Sequence, residues 1–256
     1  MNRRFAELRH SQIADRLRPE SILIQPVGAV EQHGPHLPLV TDLLIADSVS
    51  SAVVDEVGEA LDLYVLPPLA YTKSNEHAWA PGSIWLSPTT LLAVLDDLGR
   101  SLNGLPTSKL VFLNGHGGNS SLLNVACREL RLHHGLTTFL AHPSVPPDQG
   151  GSSTADELGM GIHGGLSETS LVLHLRPDLV DMAAATRNVP ERLASNQHVR
   201  FGGAVTFGWL SNDFGPNGHI GDPTLATAEL GKQQFETCVA RLGEQLAEVR
   251  RFDFGR

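Results

Sequence analysis

Within positions 31–42 the chain places Glu31, His33, His36 and Asp42, in a run that reads GAVEQHGPHLPLVTD from 28 to 42. In an extended backbone residues two apart point the same way, so Glu31 and His33 face one pocket. Pro35 and Pro38 keep the stretch out of a helix and hold it as a fixed loop. A carboxylate and an imidazole on one face, with a second carboxylate close behind, suit a divalent transition metal such as zinc or manganese. The same residues would also serve as a solvated, polar exit from a strand. Short motifs match by chance often enough that this stretch alone leaves both readings open.

Two later stretches carry the same kinds of residue. NGHGGN, 114–119, sets His116 among glycines directly after an apolar run. It reads either as a glycine-rich anion loop at a helix start or as a metal ligand on a strand exit. No GxGxxG or Walker pattern surrounds it, which favours the ligand. HGGLSETS, 163–170, brings Glu168 into the first turn of a helix, where a carboxylate is favoured by the dipole. Glu168 is then a helix-start carboxylate or a further metal ligand, with His163 beside it as a substrate contact or proton carrier.

These residues need strands and helices to hold them. The apolar run 22–27 reads as a buried strand feeding the first loop, and residues 43–57 as a helix ending at Gly58. A second strand covers 61–69 and runs into a long loop without periodicity. Ser87-Pro88 starts a helix to about 103, 109–114 is a buried strand, 120–133 a helix stopped by Gly135, and 136–141 another strand. Residues 143–161 read as a surface loop or lid, and a helix follows to about 175. The segment 181–222 is irregular, with a strand at 204–210. A last helix from Asp222-Pro223 would bury Leu225, Phe235, Val239, Leu242 and Leu246. A short amphipathic helix precedes all of this, with Phe5, Leu8, Ile13 and Leu17 on one face. Strand and helix alternate throughout, without internal repeat, which implies an α/β fold whose largely parallel sheet is covered on both faces, in one domain spanning 1–256.

The totals narrow the function. A chain of 256 residues with 41% hydrophobic and 18% charged residues can bury a full core. A net charge of −9 argues against a nucleic-acid partner. Cys127 and Cys238 both fall in helical patterns and suggest neither a disulfide framework nor a thiolate site. No run approaches a membrane span, the N-terminal stretch is too polar for a signal peptide, and a cytoplasmic location is expected.

GAVEQHGPHLPLVTD, NGHGGN and HGGLSETS, in this order and at these separations, resemble the creatininase family of metal-dependent amidohydrolases; the closing IGDPTLAT fits as well. The resemblance implies a three-layer α/β/α fold, a dinuclear metal centre and assembly into hexamers. It implies Glu31, His33, Asp42 and His116 as ligands, with Asp42 bridging the two ions. The enzyme that gives the family its name carries a metal-binding Glu two residues after the histidine of its NGH motif, an aromatic between them, and a Trp-Asp pair shortly before its HGG. This chain has Gly118, Gly117 and Gly159-Met160 there. Glu168 is the replacement ligand expected for the second ion, and the glycines imply a roomier pocket.

The expected activity is hydrolysis of a non-peptide or cyclic amide C–N bond by a hydroxide held at a dinuclear centre, with His163 or Glu168 carrying the proton. Zinc is the first expectation for the two divalent ions, with manganese or iron as alternatives. No GxSxG motif or activated cysteine offers a competing nucleophile. A peptidase or formamide hydrolase of cofactor biosynthesis, of the mycofactocin-precursor or flavin and deazaflavin type, is the alternative. A catalytically inactive metal-binding protein is a further one. The expected partners are a small-molecule amide substrate and further copies of the chain in a homo-oligomer, with no membrane.

Overall fold

The computed structural model describes residues 2–143 and 154–255. Its centre is a sheet of four parallel strands, β1 (Ile22–Val27), β2 (Leu63–Val65), β3 (Lys109–Asn114) and β4 (Thr137–Ala141), in the order β2-β1-β3-β4. The helices are α1 (His10–Arg16), α2 (Thr41–Leu61), α3 (Pro88–Leu102), α4 (Ser120–His134), α5 (Leu166–Leu175), the short α6 (Glu191–Ala194) and α7 (Ala228–Arg251).

All of β1 is buried, as is β3 after its first residue, so neither strand shows polar alternation. Strands of this kind need a helical layer on each face. Ile22, Ile24, Val111 and Leu113 pack with residues of α2, α5 and α7, such as Val49, Val53, Leu171 and Leu242. Leu23, Val27, Leu110 and Phe112 point the other way, into Leu91 and Leu95 of α3 and Leu123 and Leu130 of α4. The result is a three-layer α/β/α sandwich, as expected. A smaller apolar cluster stands apart from both layers, built on Met160, Phe201 and Ile220 with Phe207, Trp209 and Phe214 packed on them.

The register fixes where chemistry can sit. β1 and β3 pair from Ile22 with Lys109 to Val27 with Asn114, so their carboxyl ends finish level and their exit loops emerge side by side. This is also where the strand order turns, β2 lying on one side of β1 and β3 on the other. Open parallel sheets bind ligands at such a point.

Several elements differ from the sequence expectation. α2 starts two residues earlier and runs through Gly58 to Leu61, because Gly58 is buried against Val54 and Arg3; Asp62, at φ 56°, takes the left-handed turn that ends it. The second strand shrinks to three residues, since Pro67 and Pro68 cannot donate to a ladder. No strand forms at 204–210; the segment is largely exposed, touched by one isolated bridge from Val199 to Val205. Its alternation comes from Phe207 and Trp209 packing on Phe201 rather than on a sheet. The final helix begins at Ala228 after a separate 3-10 turn, Pro223–Leu225, so Leu225 is exposed while Val239, Leu242 and Leu246 are buried. The expected N-terminal helix splits into a 3-10 turn, Phe5–Glu7, and α1. Most of the expected lid at 143–161 lies outside the described residues.

Candidate metal centre

Three segments converge beyond the ends of β1 and β3. The loop after β1 carries Glu31 and His33, the first turn of α2 carries Asp42, and the loop after β3 carries His116. The close approach of the last two depends on Gly115, where an added Cβ would lie 2.6 Å from the Asp42 carbonyl oxygen. From across the cleft come His163 and, in the first turn of α5, Glu168.

All six expected residues come together. Donor atoms of Glu31, His33 and His163 lie within 4.8 Å of one another, as do those of Glu31, Asp42 and His116, and those of His33, Asp42 and Glu168. Glu31, His33 and Asp42 each belong to two of the groups, and Asp42 turns one carboxylate oxygen to His33 Nε2 and the other to His116 Nδ1, the position required of a bridging carboxylate. Glu31 and His33 do face one pocket, His33 Nε2 lying 3.9 Å from Glu31 Oε1. His36 does not join them: its Nε2 lies 3.1 Å from the Gly164 carbonyl oxygen and 3.0 Å from Thr169 Oγ1, so it clasps the α5 entry to the first loop.

Hydrogen-bond accounting shows what the cluster lacks. A carbonyl oxygen can only accept, so each ring nitrogen that meets one carries the hydrogen. His33 Nδ1 donates to the Glu31 carbonyl at 3.2 Å, His116 Nε2 to the Lys73 carbonyl at 2.9 Å, and His163 Nε2 to the Gln32 carbonyl at 2.7 Å. In a neutral imidazole the opposite nitrogen is then a lone pair. All three lone pairs point at carboxylates: His33 Nε2 lies 3.0 Å from Asp42 Oδ1, His116 Nδ1 3.1 Å from Asp42 Oδ2, and His163 Nδ1 3.7 Å from Glu31 Oε1. Asp42 Oδ2 and Glu31 Oε1 are buried and receive no hydrogen bond. Acceptor facing acceptor in a dry pocket requires protons or a cation between them.

The titration behaviour of the bare protein says the same. Burial pushes the Glu31 carboxyl up to about 8 and that of Glu168 to about 7, against the pull of neighbouring imidazoles. Burial works against protonation of His33, yet the Asp42 carboxylate overrides it and raises the ring to about 10. His116 is likewise raised, burial being outweighed by Glu31 and Asp42. Asp42 itself is held well below the carboxylate range, because His33 and His116 outweigh its burial. Protons thus gather where cations fit. His163 goes the other way, its basicity lowered by burial and then by the His33 charge.

The site also holds residues that the sequence reading passed over. A 3-10 turn, Asn75–His77, sets Glu76 and His77 at the cleft, and the Ser74 hydroxyl donates to Glu31 Oε2 at 2.5 Å. The Gln32 amide bridges His77 Nδ1, 2.8 Å away, and the Gly218 carbonyl at 3.2 Å. Their signal was an adjacent Glu-His pair inside a loop with no periodicity. The cleft has a volume near 470 Å³ and opens between this centre and a wall of Arg200, Phe201, Phe207 and Trp209.

Comparison with known proteins points to one family. The profile of the family described as creatininase, creatinine amidohydrolase, matches residues 6–246. A mycofactocin precursor peptide peptidase of Mycolicibacterium smegmatis is 38% identical over 223 residues, 85% of this chain and 81% of the relative. The creatinine amidohydrolase of Pseudomonas putida is 30% identical over 246 residues, 90% of each. The solved structure of a mutant creatininase, Zn-Zn type, superposes with a TM-score of 0.74 at 26% identity, over 97% of this chain and 98% of that one.

Proposed function

Since the chain belongs to the creatininase family, we propose that its cleft hydrolyses the C–N bond of a peptide-type amide at a centre of two divalent ions. The observation that carries this reading is the set of three imidazole lone pairs turned onto carboxylate oxygens, two of which, Asp42 Oδ2 and Glu31 Oε1, receive no hydrogen bond. Glu31, Asp42 and His116 would hold one ion and His33, Asp42 and Glu168 the other, zinc first, manganese or iron as alternatives. Bound there, such ions supply Lewis acidity, polarising a carbonyl and bringing a water's pKa towards neutrality.

The chain's own groups do the rest. His163 offers Nδ1 as the proton carrier, because Nε2–H is committed to the Gln32 carbonyl. Burial, the leading cause of its lowered basicity, keeps that nitrogen unprotonated at neutral pH, so it can take a proton and return it to the departing amine. Glu168 is tied to its helix start, accepting from the Gly164 N–H at 2.6 Å, which fixes the carboxylate that faces Asp42 and His33. Phe201, Phe207 and Trp209 offer an apolar wall to the substrate body. A cleft of this volume and a relative that cuts a precursor peptide both favour a peptide-type substrate over a ring as small as creatinine.

Residues 1–256 would form one cytoplasmic domain in a homo-oligomer; the exposed Tyr71, Ile84 and Trp85 on the loop after β2 offer apolar surface for that assembly. Among the described residues no helix is long and apolar enough to cross a membrane. The test is a hydrolysis screen of the zinc- or manganese-loaded protein by mass spectrometry, pairing short peptides with creatinine. Cleavage of a peptide amide is expected. Turnover of creatinine alone would replace the peptide reading.

A further inference from the structure

Glu76 belongs to none of the three donor groups, yet its carboxylate lines the cleft, 7% exposed, and touches the centre at His116. Its Oε1 lies 3.5 Å from His116 Nε2, the nitrogen whose hydrogen goes to the Lys73 carbonyl. One turn of backbone therefore delivers two acceptors, a main-chain oxygen from Lys73 and a carboxylate from Glu76, to an N–H that also has Glu31 Oε2 at 3.3 Å. The carboxylate is itself held in place: Oε2 receives the Lys73 ammonium at 2.5 Å, and the Glu76 carbonyl accepts from the Ser211 hydroxyl at 3.3 Å.

The contact exists only because residue 118 has no side chain. A Cβ on Gly118 would meet Glu76 Oε1 at 2.0 Å and His116 Nε2 at 2.4 Å. Gly118 is thus the gap through which a carboxylate from a different loop reaches the imidazole.

We propose, resting on the metal reading above, that Glu76 is a positioning residue of the centre: with Lys73 it holds His116 protonated on Nε2 and turned so that Nδ1 is presented beside Asp42 as a ligand. A carboxylate behind a ligating imidazole fixes tautomer and ring orientation and raises ligand basicity, and its loss typically weakens metal binding about 10–100-fold.

The test uses the full chain and reads metal affinity rather than turnover. Zinc binding is measured by competition with a chromophoric chelator, alongside melting of the metal-stripped protein. Glu76→Gln keeps shape and removes charge; its affinity for one ion should fall about 10–100-fold while the stripped protein melts like wild type. Glu76→Asp keeps the charge and should recover most of the loss. Cobalt(II) loading adds a spectroscopic readout, because the visible bands of the His116-side ion should move in Glu76→Gln and return in Glu76→Asp. Gly118→Ala leaves Glu76 in the chain but takes its place, and should weaken binding in the same direction. Wild-type affinity and cobalt spectrum in Glu76→Gln would overturn the proposal. A wild-type protein that holds less than one ion would instead sink the metal reading beneath it, before any variant is made.

Discussion

The two walls of the cleft are built in opposite ways. One is the carboxyl edge of the sheet, where Glu31, His33, Asp42 and His116 are almost wholly buried and hang on β1, β3 and the first turn of α2. Backbone carbonyls hold the outer N–H groups of both histidines. The facing wall at 200–209 has no strand or helix, is largely exposed, and is held by aromatic contacts such as Phe201 with Trp209 at 5.5 Å. A reactive centre needs ligand atoms fixed to a fraction of an ångström, and rigid elements supply that. A substrate wall needs only shape and apolar surface, which an irregular loop supplies while leaving room to adapt.

That contrast can be broken most decisively at Asp42. Because its two oxygens face His33 and His116, Asp42→Ala should lose both ions and bring hydrolysis to background, whereas His33→Ala should keep one ion. Elemental analysis of the two variants checks it; equal retention would show that Asp42 does not bridge.

The next contrast is between stability and substrate binding. Phe112, fully buried beneath the rigid wall, should cost about 3–5 kcal/mol when changed to Ala, read by denaturant unfolding. Trp209→Ala on the other wall should leave metal content unchanged and raise KM about tenfold, worth ~1.4 kcal/mol of aromatic contact. Lost metal in Trp209→Ala would mean the walls are not separable.

How legible each wall was in the sequence follows from the same difference. Glu31, His33, Asp42 and His116 could be read because each sits at a junction with its own signature: an apolar run, a proline-fixed loop, a helix start, a glycine cluster. The parallel sheet was legible because 22–27 and 109–114 are apolar without alternation. Glu76, His77 and Gln32 were not legible, because their roles come from where the 66–87 loop folds back rather than from any local pattern. The strand expected at 204–210 failed for a related reason. Phe207 and Trp209 alternate as in a strand, but they pack on Phe201 and Phe214 rather than in a sheet. The departure at Gly118 was visible in sequence, but its consequence needed coordinates.

A smaller effect concerns His36, which clasps the first loop to α5. Burial, and then the charge of His219, lower its basicity to about 4 in the fold, against an ordinary value of 6.5. A folded pKa below the unfolded one means the folded state favours the neutral ring. Its contribution is therefore complete above about pH 6.5 and declines as pH falls towards 4. His36→Gln keeps an amide donor for the Gly164 carbonyl and removes the titration, so its melting temperature should fall less over that window than that of wild type.

The central claim is that lone pairs facing carboxylates mark a two-cation centre. Its most direct measurement is the stoichiometry of zinc or manganese binding to the wild-type chain, by elemental analysis after purification without chelator and again after reconstitution. Two ions per chain are expected, released together by chelation with a fall in melting temperature. Less than one ion per chain after reconstitution, with the melting temperature indifferent to metal, would contradict it.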